Sequence, residues 1–361
     1  MNGLSRLAPA LAAILLGACG AAPTPVADAA GAPAAAVAPD LAAIRIGAPD
    51  VPSPRSAEAA AGTKERGDAV FPANGLLFRG TSGGLVVVAL EGGEALERST
   101  LYLPGQASDV IASGTTAWVA CGAAGVYGID VADPRSPKAV VQIDTTGAAL
   151  RLALRDGALL VGDGASGVAI LDIGDPAHPR ARAVWRGPGY VRHAVWGDNL
   201  VFAATGNDGI AVLEPQADGG LSVLSKLDTP GDARALFLAG HTLLVADGQA
   251  GLLAVDVTAP SAPRAVGHLA LADMARDVAV RGDRAFVANG DDGVAVVDIG
   301  HPDTLATTAV FATSMPVNRV LVDGDRLLVG NDAGGLLVLD IAHPDAPVRV
   351  FPAPAGGTGS R

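Results

Sequence analysis

A glycine recurs along this chain at a nearly fixed interval. Gly84, Gly125, Gly167, Gly209, Gly251, Gly293 and Gly335 are separated by 41 residues once and by 42 five times. Five residues after each stands Asp130, Asp172, Glu214, Asp256, Asp298 or Asp340, while the first copy has Ala89. A period of that length means one supersecondary unit repeated and packed on its neighbours, and it removes most other architectures from consideration.

Within a copy, short apolar runs alternate with tight-turn chemistry, and no stretch keeps the 3.6-residue spacing of an amphipathic helix. In the clearest copy, Asp232 to Ala272, four strands are predicted: A (Arg234 to Leu238), B (Thr242 to Ala246), C (Leu252 to Val257) and D (Pro263 to Leu269). A and B meet at turns such as Asp156-Gly157 and Gly282-Asp283, whose residues tolerate the positive φ a two-residue hairpin needs. C reaches D through proline linkers (DVADPRSP, DIGDPAHP, DVTAPSAP, DIAHPDAP), and proline, lacking an amide hydrogen, belongs between strands. The A and C strands read as continuous apolar runs, as strands covered on both faces should. Seven such units predict an all-β chain, a seven-bladed β-propeller with four antiparallel strands per blade, spanning residues 67–352.

The runs GVAILDI, GLLAVDV, GVAVVDI and GLLVLDI, followed in most copies by a Pro-x-x-Pro type linker, resemble the LVIVD-repeat family of bacterial surface and periplasmic β-propellers. The resemblance covers roughly residues 67–352 and implies architecture and compartment more than activity. Copy 1 lacks its acid, and copy 4 carries Glu214 and DGGLSV in place of Asp and the proline linker.

The N-terminus reads as an export signal: Arg6, an apolar run from Leu7 to Leu16, then small residues before Cys19. That run is too short to cross a membrane as a helix. Leu16-Gly17-Ala18-Cys19 resembles the lipobox of bacterial lipoproteins, which implies cleavage after residue 18, lipidation of Cys19 and, with Gly20 following, an outer-membrane lipoprotein facing the periplasm or the cell surface. An ordinary secretory signal containing an incidental cysteine is the other reading. Residues 19–66 are predicted to be an Ala/Pro-rich, disordered tether and 353–361 a flexible tail. The piece Leu41 to Gly47 could pair as a strand and even close the ring. A net charge of -12 argues against nucleic acid as partner and leaves the lipid anchor as the contact with the membrane.

Motifs for chemistry are sparse. GDGASG, Gly162 to Gly167, matches G-x-G-x-x-G in letters only, because a strand rather than a helix follows, so no cofactor is expected. The turn acids Asp163, Asp208, Asp247, Asp291, Asp292 and Asp332 lack the alternating loop of a calcium site and read as residues that bond their own turn backbone. No metal site is expected, since the histidines are scattered. The periodic acids Asp130, Asp172, Asp256, Asp298 and Asp340 read as a structural device, each carboxylate holding backbone amides of the linker that follows.

One set of residues differs from copy to copy, as a binding site requires. Ser108 and Asp109, Arg151, Arg192 and His193, Arg234, Arg276 and Asp277, Asn318 and Arg319 lie just before or at the start of the A strands. Antiparallel order puts these positions on one face with the B-to-C turns. With A innermost, as in propellers generally, Arg151, Arg192, His193, Arg234, Arg276 and Arg319 ring the mouth of the central channel as candidate ligand contacts. Alternatively Asp109, Asp277 and the turn acids pair with the arginines and close the mouth. The reading that results is a lipid-anchored, non-enzymatic propeller binding an envelope protein or a small anionic ligand. A lactonase-like or other hydrolase acting on an anionic substrate at the same mouth is the alternative.

Overall fold

The computed structural model describes residues 41–52, 69–91, 94–331 and 335–351. They form seven antiparallel sheets with strands in sequence order, spanning Ala69–Tyr102, Asp109–Asp144, Arg151–Trp185, His193–Leu227, Ala235–Leu269, Asp277–Phe311 and Val317–Phe351. These are the seven blades, each running A, B, C, D from the axis outward. The proposed anchor Cys19, the export signal and the C-terminal tail lie outside the described residues.

The period-setting glycine has a steric cause. In the first six copies it adopts positive φ, from +73° at Gly209 to +131° at Gly84. A Cβ there would fall on a carbonyl near the end of the D strand, 2.1 Å from Ile143 O at Gly125 and 2.3 Å from Leu269 O at Gly251. Strand C can therefore leave its turn and pass directly beneath strand D only where no side chain stands.

Burial corrects one expectation. B and C, not A and C, are the strands covered on both faces: Ala158–Gly162 is buried throughout, and Val168–Asp172 up to its last residue. Strand A of the same blade, Arg151–Arg155, is only half-buried, because one of its faces lines the channel. A second feature is invisible in the apolar pattern. Each D strand carries a β-bulge, so that Val140, Arg182, Leu224, Val266 and Thr308 are skipped in the pairing with C in blades 2 to 6. A bulge at the outer edge twists that strand away from pairing with another chain.

Seven buried apolar clusters lie between successive blades, one per interface. The last joins Val70, Leu77, Val86 and Val88 of blade 1 to Leu328, Leu336 and Val338 of blade 7, so the ring closes by packing, with no strand exchanged among the described residues. Blades are also laced by paired backbone hydrogen bonds. Gly122 and Ala149 exchange both bonds at 3.0 Å, and Gly164 with Val191, Gly206 with Ala233, and Gly248 with Ala275 repeat the contact. These bridges put the B-to-C turns and the A-strand starts on one face.

Part of the expected tether is ordered. Leu41–Ala43 forms a 3-10 turn and Arg45–Gly47 a strand. The strand pairs antiparallel with Gln142–Asp144, on the outer edge of blade 2 rather than across the ring closure. Ile44 is buried in the cluster between blades 2 and 3, and Tyr127 Oη donates to Asp50 O at 3.2 Å.

Candidate functional site

The repeat register sorts the residues at the channel mouth into two layers. Asp109, Arg151, His193 and Asp277 are the first residues of their A strands and Arg319 the third of its own, all at one shared repeat position. One residue earlier and nearer the mouth stand Ser108, Leu150, Arg192, Arg234, Arg276 and Asn318.

The deeper layer is a closed ionic network. Arg151 Nη1 lies 2.9 Å from Asp277 Oδ1, Arg319 pairs with Asp109, and Arg319 Nε stands 3.6 Å from Asp277 Oδ2. The two acids also anchor the next blade: Asp109 Oδ2 accepts from Leu152 N at 2.8 Å and Asp277 Oδ2 from Val320 N at 3.1 Å. Asp277 is fully enclosed, yet its carboxyl stays below the usual range: burial opposes ionisation, and Arg151 and Arg319 outweigh it. A buried pair becomes tolerable when its remaining hydrogen-bonding capacity is used, as here.

His193 has the same office in blade 4. Its Nδ1 accepts from Leu236 N at 3.1 Å. Burial, then the nearby guanidinium of Arg151, holds its pKa down to about 3. The residue is a neutral brace between blades that also lines the chamber beneath the mouth. Arg151 and Arg319 likewise spend their charge within the network, so for these two the pairing expectation describes the geometry.

The upper layer is different. Gln106, Ser108, Leu150, Asn318 and the five arginines line a cup of about 250 Å³. Arg192, Arg234 and Arg276 stand at the same position in consecutive blades, and the first two share one carboxylate: Asp232, 3.4 Å from Arg192 and 2.9 Å from Arg234. Arg276 Nη1 donates instead to Asn318 Oδ1 at 2.5 Å. The Nε of all three is buried without a hydrogen-bond partner. Such an unsatisfied donor costs about 1–3 kcal/mol. Burial, together with Arg192 and Arg276, lowers the pKa of Arg234 against the pull of Asp232. Tyr190 stacks 5.2 Å from the Arg192 guanidinium.

Asp232 and Tyr190 escaped the sequence reading. They share one repeat position with Gln106 and Met274, which varies from blade to blade and would have exposed them. Below the ionic layer the channel widens into an apolar chamber of about 490 Å³, lined by A-strand side chains including Phe71, Trp196 and Phe237.

The remaining candidates are structural. Asp130, Asp172, Asp256, Asp298 and Asp340 each accept from the amide two residues on, at 2.8–3.0 Å. Asp163 and Asp247, grouped above with the turn acids, instead point inward and are 1% and 0% exposed. They accept from Thr145 Oγ1 at 2.5 Å and Thr229 Oγ1 at 2.7 Å, tying the B-to-C turn to the end of the previous blade's D strand. Cys121 occupies the equivalent buried position in blade 2, where burial pushes its thiol up to about 12. Among the described residues no three His, Cys, Asp or Glu side chains converge as metal ligands, and no helix is long and apolar enough to cross a membrane. Asp332 lies outside the described residues.

Comparison with protein families agrees with the fold: the model described as LVIVD repeat matches residues 104–145, 146–182, 230–270 and 272–312. The chain carries LVIVD repeats. The four matches fall on blades 2, 3, 5 and 6 of the LVIVD propeller, and blades 1, 4 and 7 are not among them. No curated protein matches the sequence. Solved structures share the fold at low identity. A chain of a mitotic checkpoint complex is 12% identical with a TM-score of 0.63, covering 89% of this chain and 97% of that one. The computationally designed Ika8 protein is 13% identical with a TM-score of 0.59, covering 78% and 85%. BamB from Moraxella catarrhalis is 18% identical with a TM-score of 0.51, covering 74% and 80%.

Proposed function

We propose that this LVIVD propeller is a cell-envelope protein, anchored by a lipid on Cys19, that binds a protein or small ligand through the face bearing the A-strand starts and the B-to-C turns, without catalysing a reaction. The observation that carries the reading is the convergence of residues that break the repeat. Elsewhere the blades use equivalent positions for equivalent structural work, whereas Gln106, Tyr190, Asp232 and the arginines gather at one mouth. Propellers host enzymes as well as scaffolds, so fold alone does not decide between them. The hydrolase reading is weakened by His193, whose imidazole braces a backbone amide and is a poor base.

Two measurements test the proposal. A photo-crosslinking side chain at Gln106 should capture a partner or ligand in cells, and one at His241, in an A-to-B turn on the opposite face, should not. Capture from His241 alone, or turnover of lactones or esters by the purified protein, would overturn it. Cys19→Ala should leave the membrane fraction and lose its acyl mass, and an unmodified mature N-terminus elsewhere would remove the anchor from the proposal.

A further inference from the structure

The fan of Arg192, Arg234 and Arg276 is unlike the rest of the site, because its positive charge is only partly answered by the protein. Of the three guanidinium groups, Arg192 and Arg234 share the single carboxylate of Asp232, and Arg276 has no ion pair among the described residues. The neighbouring Asp273 carboxylate is turned to the amides of Met274 and Asp291; it feels the charge of Arg276 but stands outside ion-pair distance of it. The three side chains leave equivalent backbone positions, each fixed by its amide donating a hydrogen bond to the B strand of its own blade: Arg192 N to Ala204 O, Arg234 N to Ala246 O and Arg276 N to Ala288 O. They therefore rise to the same height and fan around the axis by one blade each. Their buried Nε atoms have no partner. Below them the ionic layer is internally paired, so it offers no carboxylate to neutralise them. Ser108 and Gln106 add hydroxyl and amide groups on the opposite wall of the cup.

We infer that the cup is a binding site for a small oxyanion carrying two or more negative charges, such as a di- or tricarboxylate or a phosphate, held by Arg192, Arg234 and Arg276 with Asn318 and Ser108 at its edge. Guanidinium groups are suited to such ligands because their planar donors match carboxylate and phosphate oxygens in pairs. The volume of about 250 Å³ is room for roughly eight water molecules, which suits a compact ion rather than a polymer. The inference rests on the binding-face reading and gives it a ligand class.

The test is calorimetric titration of the purified chain with citrate and, separately, with inorganic phosphate, each against sodium chloride at matched ionic strength. At least one should bind saturably and raise the melting temperature. Arg192→Ala with Arg234→Ala should weaken that binding at least about a hundredfold, with an unchanged β-sheet circular dichroism spectrum. Arg276→Lys, which keeps the charge and loses the paired donors, should weaken it about tenfold. The inference is overturned if neither anion gives saturable heat, or if the folded double variant binds within threefold of the parent. Should the anions fail while the Gln106 crosslink persists, the binding face stands and the oxyanion site falls.

Discussion

Asp163 lets the stability of the ring be tuned by one proton. Its carboxyl is 1% exposed, and burial pushes its pKa from 3.8 up to about 7, against the opposing hydrogen bonds from the Thr145 hydroxyl and the Gly147 amide. The native state therefore holds a proton between about pH 4 and 7 that the unfolded chain has released. In that window the folded form binds more protons, so stability falls as pH rises. At about 1.4 kcal/mol per unit, crossing the whole window costs on the order of 4 kcal/mol. Asp163→Asn should abolish the dependence, and the amide fits, because Asn289 sits 1% exposed at the equivalent position of blade 6. The variant loses at most the bond from Gly147, about 1 kcal/mol. Urea unfolding followed by fluorescence of the buried Trp118 and Trp185 should then give two curves that meet at about pH 4.5, with the variant more stable by about 3 kcal/mol at pH 8. The difference between the two proteins cancels the acids they share, Asp247 included, whose pKa is also raised by burial. A difference that stays constant within about 1 kcal/mol from pH 5 to 8 would refute the argument, because it would mean that Asp163 is ionised in the fold throughout.

His193 gives the opposite slope: its pKa is held down to about 3, so the unfolded chain takes up a proton below 6.5 that the native state refuses. Stability should be lost as pH falls, by about 2 kcal/mol at pH 5, and melting temperatures should show that His193→Asn, which keeps an acceptor for Leu236 N, removes the loss. Gly251→Ala should cost about 2 kcal/mol or more in chemical unfolding, since its Cβ would meet Leu269 O at 2.3 Å, whereas Gly240→Ala, also at positive φ but in open space, should cost about half as much. Asp172→Ala removes the acceptor for Gly174 N and should lower the melting temperature by about 2 °C without altering ligand binding, and a change in binding would make the repeated acids part of the site.

The propeller was legible because its period is written in residues that have no substitute. A glycine beneath a carbonyl, an acid bonding two residues on and a proline in the linker are all local requirements, so they survive in the letters of each copy. The bulge in every D strand left no such mark: the skipped residues range from Val140 and Leu224 to Arg182 and Thr308, since a skipped position needs no particular side chain. The convergence of the arginines was readable from strand direction. Their division into a paired layer and a fan was not drawn, although the register contains it, because Arg151 and Arg319 fall one residue later in the repeat than Arg192, Arg234 and Arg276. The docking of Ile44 beside blade 2 rests on a contact far apart in sequence, and an Ala/Pro-rich context hides it.

Closure by packing alone makes each blade a complete module from its first strand to its last. Here tandem duplication of one 42-residue segment inserts a whole blade between two others, and the joint between blades 1 and 7 is an ordinary interface. The same independence predicts that the chain could be recut at another inter-blade linker and its present ends joined, giving a permuted ring with the same seven interfaces.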